Sequence, residues 1–196
     1  MVEVFSGPDI AMWGKGVFGK HAHDGVATPW HQDGQYWPRR PPAMISVRLA
    51  LDDTTLDDRC LRVISGLPRR RKLCDHRTAD ASKLTLDQEL DWQAPGFARE
   101  DPIEIETRQM ILFDHYLVHA SHSNDTPRQR RAITIRYMSH YLALLDHELA
   151  AWHHREVAVP DLSRRSLYRI RGIDRCALNE LVEVPDRTTA AGHSTR

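Results

Sequence analysis

The feature that most constrains this chain is a hydrophobic alternation of period two, repeated in short segments along much of its 196 residues. In Met44–Leu51 one face carries Ile45, Val47, Leu49 and Leu51, and the other Met44, Ser46, Arg48 and Ala50. Arg131–Met138 repeats the pattern, with Ile133, Ile135 and Tyr137 opposite Ala132, Thr134 and Arg136. Further strands are expected over Ile10–Phe18, Cys60–Ile64, Pro102–Thr107 and Gln109–Ser121, the last broken near His115. Turn formers such as His23-Asp24-Gly25, Asp52-Asp53, Ser65-Gly66 and Asn124-Asp125 separate them. Many short strands between tight turns bury their apolar faces by closing into a sandwich or barrel, and a double-sheet jelly roll fits. The expected fold class is mainly β, with a few peripheral helices.

Two segments break the pattern. Residues 74–101 make a long connection, with a helical turn expected near Thr85–Trp92, and a connection of this length is a candidate lid. Tyr141–His154 spaces Leu142, Leu145, Leu149 and Trp152 by three to four residues, as an amphipathic helix does. One domain is expected over residues 1–186, followed by a small, polar, disordered tail over 187–196.

Composition narrows the function classes. A formal net charge of zero argues against nucleic acid and against acidic membrane surfaces as partners. No apolar run is long enough to span a bilayer, and Met1–Pro8 lacks the basic and apolar regions of a signal peptide. The cysteines Cys60, Cys74 and Cys176 are odd in number and lack CxxC spacing, which suits reduced thiols in a cytoplasmic protein. The partner expected is a small-molecule substrate.

Histidine is the unusual count, at 12. With that many histidines, roughly one or two HxD/E pairs arise by chance, and His154-Arg155-Glu156 is one such rival. His31 and Asp33 differ in setting: at i and i+2 on extended backbone, both leave the same face, a bite suited to one metal. His119 and Ser121 share a strand face in the same way, and strand pairing can set His119 opposite the first pair; His115 has the same parity as His119. Two imidazoles and one carboxylate form the facial triad of non-haem Fe(II) sites, which leaves positions open for co-substrate and O2. Arg130 shares parity with Ala132, Thr134 and Arg136, the less greasy face, where a guanidinium can fork onto a carboxylate. His21-Ala22-His23-Asp24 reads as a surface metal trap or a solvated loop, and Arg69-Arg70-Arg71-Lys72 as a phosphate grip or a solvated turn. Trp30, Tyr36 and Trp37 are candidate pocket walls or core packing.

TPWHQDGQYWP, ALDD, CLRVISG and LVHASHSN followed by Arg130-Arg131-Ala132 together resemble the phytanoyl-CoA dioxygenase family of Fe(II)/2-oxoglutarate oxygenases. The likeness runs from about Gly7-Pro8-Asp9-Ile10 to Tyr137, with a weaker echo in LYRIRGIDR. The resemblance implies a double-stranded β-helix core, with His31, Asp33 and His119 as iron ligands and catalytic centre. It gives Arg130 the far carboxylate of 2-oxoglutarate, with Ser121 assisting, Gln32 in the co-substrate shell and Lys20 as a further contact. The implied activity is hydroxylation or another oxidation of an unactivated C–H bond, with O2 as co-substrate and succinate and CO2 released. Related halogenases carry a small residue at the Asp33 position, so the aspartate argues for hydroxylation or a related oxidation. Two rival readings stand beside this one: an impaired jelly-roll binding protein that retains the metal site, and a Zn-dependent hydrolase, for which Arg130 would have no use.

The chain also departs from the family. Arg48 stands where an aromatic residue is usual, and is expected to pair with a substrate or co-substrate carboxylate or with a neighbouring aspartate. The turn sequences Asp58-Arg59-Cys60 and Ser65-Gly66-Leu67-Pro68 lose a glycine and a histidine. The family's N-terminal elements are expected to be missing ahead of the GPDI segment, so that either the chain is a shortened version or a homo-oligomer or another subunit covers the apolar surface left.

Overall fold

The alternating segments become the strands of two facing sheets. In the computed structural model the residues described are 1–23, 25–37, 39–40, 44–66, 69, 71–80, 82, 84–90, 99–139, 144–145, 148, 151–152, 155, 166–174, 177 and 180–184. A short helix α1 (Glu3–Ser6) precedes β1 (Ile10–Lys20), β2 (Thr28–Gln32), β3 (Arg39–Arg40), β4 (Met44–Ala50) and β5 (Leu61–Ile64). Then come β6 (His76–Thr78), β7 (Gln88–Leu90), β8 (Glu100–Ile103), β9 (Met110–Asp114) and β10 (Val118–Ser121). The last are β11 (Arg130–Ser139), β12 (Leu144–Leu145), β13 (Leu167–Arg171) and β14 (Leu181–Glu183).

The larger sheet has six strands in the order β14-β13-β1-β11-β4-β9, and the smaller has four in the order β2-β10-β5-β8. Within them only the β13–β14 pair runs parallel. From β8 to β11 the chain alternates between the two sheets strand by strand, as in a jelly roll. The fold is mainly β, as the alternation implies.

Parity decides which side faces in. On β4, Met44, Ser46 and Ala50 are buried, whereas Ile45, Val47 and Leu49 are half-buried on the other face. On β11, Arg130, Ala132, Thr134 and Met138 are buried. The less greasy parity is therefore the inner one, because the space between the sheets is only partly apolar core. At one end it is filled by Ala11, Trp13, Tyr36, Trp37, Met44, Met138 and Leu167. A second cluster of Ile64, Leu90 and Val118 lies beneath the smaller sheet. A one-residue slip of β11 would exchange the two faces, so burial fixes the register.

Several expectations need correction. The helical turn near Thr85–Trp92 is absent from its described part; β6 and β7 form an antiparallel hairpin there. Sheet-type partners take its backbone groups: Thr85 N–H donates to Ala27 O at 2.9 Å and Ala79 N–H to Asp87 O at 2.8 Å. The strand expected over Pro102–Thr107 begins and ends earlier, as β8, and then only bridges Thr54 through Ile105. Of the helix expected over Tyr141–His154, the described residues Glu148, Ala151 and Trp152 are helical, Leu144–Leu145 instead pairs with β3, and the others lie outside the described residues. His154 and Glu156 also fall outside them, as does the expected tail over 187–196. Among the described residues no helix is long and apolar enough to cross a membrane.

Candidate metal centre

β10 lies beside β2 in the smaller sheet, and the register sets His119 directly opposite His31. Their ring centroids are 4.2 Å apart. Backbone stays extended through Gln32 (φ −118°, ψ 128°) before turning into a 3-10 turn at Asp33–Gln35. The i, i+2 relation therefore holds, and Asp33 Oδ1 comes 3.6 Å from His31 Nε2. One ligand atom from each of His31, Asp33 and His119 lies within 4.8 Å of the others, and all three residues are buried.

The hydrogen bonds orient this set. His31 Nδ1 lies 2.9 Å from Pro29 O, and His119 Nδ1 3.0 Å from Leu117 O. A carbonyl only accepts, so each Nδ1 carries the proton and Nε2 is the atom each ring presents to the convergent set. Burial, helped by neighbouring His31, pushes His119 down to about 4, so it is neutral at ordinary pH. Burial alone would raise Asp33, but the adjacent His31 ring and the positive charge of Arg136 outweigh it. The carboxyl is held well below its usual range. Its other oxygen, Oδ2, accepts from Ser46 Oγ at 3.2 Å across the sheets. A Cβ on Gly34 would meet Leu73 Cδ2 at 2.8 Å, His115 Cδ2 at 3.0 Å and His115 O at 3.1 Å, so a larger residue beside Asp33 would have to push these neighbours aside. Two inward imidazole lone pairs and an ionised carboxylate are the donor set of a divalent iron site.

These residues open onto a cavity of about 680 Å³ between the sheets. Four cationic side chains line it, Lys20, Arg48, Arg130 and Arg136, against the single carboxylate of Asp33. Lys20 and Arg130 are cross-strand partners at the end of β1 and β11. Arg130 Nη1 donates to Arg59 O at 2.5 Å, and its Nε is buried without a partner. Lys20 Nζ donates to Val26 O and His122 O at 2.6 Å each and to Ser121 O at 3.4 Å. Burial, then the charges of Arg130, Arg48 and Arg62, push its ammonium down to about 7. Lys20 thus adds charge to the cavity while its protons are spent on the backbone. Ser121 is buried and lines the same cavity, one residue beyond the irregularity in β10.

Gln32 departs from its expected place. Its parity is opposite to that of His31, and its side chain lies outside the cavity lining. Its amide donates to Lys72 O and Tyr116 O and accepts from Cys74 N–H, strapping the segment after β5 to β2. Trp30 likewise faces away, with the Arg62 guanidinium 5.0 Å from its ring centroid. Tyr36 and Trp37 do wall the cavity. His115 is buried against Tyr116, outside the convergent set. Arg48 lies in the cavity with no neighbouring aspartate as an ion partner, since Asp52 pairs with Arg131 at 2.8 Å. Ser46 and Arg136 were not anticipated as site residues; their parity on β4 and β11 was the available signal.

Comparison with known proteins follows the same lines. The family described as Phytanoyl-CoA dioxygenase (PhyH) matches residues 3–132. L-proline trans-4-hydroxylase of Streptomyces griseoviridis is 28% identical over 133 residues, covering 59% of this chain and 49% of that protein. The chain spans about half the length or less of the curated relatives it matches, from 39% to 49%. The non-heme monooxygenase ThoJ, in its apo form, superposes with a TM-score of 0.68 at 21% identity, over 93% of this chain and 59% of that one. The epimerase SnoN, solved with Fe3+, alpha ketoglutarate and nogalamycin RO, gives 0.58 at 19% identity over 73% and 55%. At such identities these two likenesses speak to the fold alone.

Proposed function

The chain belongs to the phytanoyl-CoA dioxygenase family, and on that premise we propose that it is an Fe(II)/2-oxoglutarate-dependent oxygenase acting on a C–H bond of a small molecule. One observation carries this reading: the inward Nε2 atoms of His31 and His119 and the Asp33 carboxylate share a cavity with the buried, under-partnered guanidinium of Arg130. Relatives named as a hydroxylase and a dioxygenase support the reaction class.

In this reading His31, Asp33 and His119 hold the iron, and Arg130 takes the far carboxylate of 2-oxoglutarate through a planar fork that lysine cannot reproduce. Bound iron, with 2-oxoglutarate and O2, supplies the oxidation of the C–H bond and leaves succinate and CO2. The protein's own part is positional. The carbonyls of Pro29 and Leu117 hold the two imidazoles in their metal-binding tautomer, and Ser46 holds the carboxylate. Lys20 and Ser121 complete the anionic end of the co-substrate site. Thr85 and Leu86, from the 74–101 connection, wall the cavity and limit its access to water.

Anaerobic addition of Fe(II) and then 2-oxoglutarate is expected to give a visible metal-to-ligand charge-transfer band. Folded, metal-loaded protein without that band would sink the reading. Arg130→Ala discriminates against a zinc hydrolase, whose activity would survive the change.

A further inference from the structure

Arg136 is the unexplained group in this cavity. It stands on the inner parity of β11, directly opposite Ser46 of β4, whose hydroxyl touches Asp33. Its Cζ lies 5.2 Å from the Trp37 ring centroid and 5.6 Å from that of Phe18, so two rings fix the guanidinium. Its Nε is buried without a hydrogen-bond partner. Among the described residues neither Arg136 nor Arg48 has a hydrogen bond or ion pair. The residue is half-buried, its buried Nε lacks the acceptor that would satisfy it, and the cavity lining offers no carboxylate other than Asp33.

Charge balance points the same way. A divalent iron, the Asp33 carboxylate, doubly charged 2-oxoglutarate and Arg130 cancel one another. Arg48, Arg136 and the partly protonated Lys20 are then left uncompensated, and of these Lys20 already gives its protons to backbone carbonyls. Arg48 lies on the co-substrate side, where it feels both Arg130 and Asp33. Arg136 shares the Phe18 ring with Arg48 and reaches beyond it to Trp37, in the aromatic wall that Trp13 and Tyr36 continue.

We propose that Arg136 is the anchor for an anionic group, carboxylate or phosphoryl, on the substrate, whose apolar body rests on the aromatic wall. The oxidised carbon then lies close to that anionic group, because Arg136 and the Asp33 carboxylate meet at the same Ser46 row of the sheet. The inference rests on the oxygenase reading for assigning Arg130 to the co-substrate.

The test uses full-length protein loaded with Ni(II) and saturated with 2-oxoglutarate, so that Arg130 is occupied. Binding of 3-phenylpropionate, 2-phenylethylphosphonate and neutral 3-phenylpropionamide is measured by calorimetry. At least one anion should bind about tenfold or more tightly than the amide, as loss of a charge-assisted pair predicts. The tighter anion identifies the carboxylate or the phosphoryl class. Arg136→Met should abolish the preference while the Kd for 2-oxoglutarate stays within about threefold. The inference is overturned if the amide binds as well as both anions in the wild-type protein, a result that needs no variant to fold. It is also overturned if the preference survives in Arg136→Met. Failure of the oxygenase reading is separate, since it shows as a missing charge-transfer band before any probe is added.

Discussion

At the scale of single residues, twelve histidines compete for a role and three-dimensional placement sorts them. His31 and His119 each have Nδ1 occupied by a carbonyl two residues earlier and Nε2 turned inward. His115 has the same parity as His119 in sequence but sits beyond the break after β9, against Tyr116. His31→Ala and His119→Ala should therefore each abolish tight Ni(II) or Fe(II) binding by calorimetry, whereas His115→Ala should keep metal affinity and lose only thermal stability. Gln32 offers a second contrast. Sequence likeness puts it with the co-substrate, yet three backbone partners consume its amide. Gln32→Leu would strand those groups and should lower unfolding free energy by about 2–3 kcal/mol. The 2-oxoglutarate affinity of the folded variant should be nearly unchanged, and a large loss there would reinstate the co-substrate role.

At the scale of elements, the end of the cavity that holds Arg130 depends on two turns outside the strands. Asp58 is buried and accepts from Thr55 Oγ1 at 2.9 Å, from Thr126 Oγ1 at 3.3 Å and from two Arg128 nitrogens at 2.9 Å each. It ties the β4–β5 connection to the turn that leads into β11. Arg59 O, in the same connection, receives the Arg130 guanidinium. Asp58→Ala should cost about 2–3 kcal/mol and weaken 2-oxoglutarate binding. Arg128→Ala, removing a largely exposed partner, should cost less than about 1 kcal/mol. Burial would raise the Asp58 carboxyl, but the hydrogen bonds from Arg128 and Thr55 hold it below its ordinary value. Its contribution is therefore present above the unfolded carboxyl value of about 4 and is lost as pH falls through the lower folded value. Denaturation curves from pH 7 to pH 3 should show a shallower acid loss in Asp58→Asn than in wild type.

At the scale of the whole molecule, the site spans the gap between the sheets. His31 and His119 come from the smaller sheet, and Ser46, Arg130 and Arg136 from the larger, so filling the cavity joins the two layers. Added to the metal-loaded protein at about one hundred times its Kd, 2-oxoglutarate should stabilise the fold by about 2.7 kcal/mol. For a chain of this size that is a rise of about 5–10 °C in Tm. An unchanged Tm at that concentration would mean that 2-oxoglutarate does not bind the folded protein. Much of this organisation was legible in the sequence. Period-two alternation determined that the chain is mainly β and marked β1, β4, β5, β9, β10 and β11 within a few residues, because a strand's two faces are written into every second position. The same periodicity put His31 with Asp33 and Arg130 with Arg136 on shared faces. It could not say which strand lies beside which, or what fills the space between them. Pairing of β2 with β10, which sets one imidazole opposite the other, is a contact between segments nearly ninety positions apart. The sequestering of Gln32 by Lys72, Cys74 and Tyr116, and the surplus of cations around one carboxylate, likewise depend on long-range closure. Local periodicity determined the faces; only the packing of the two sheets decided which of them share a cavity.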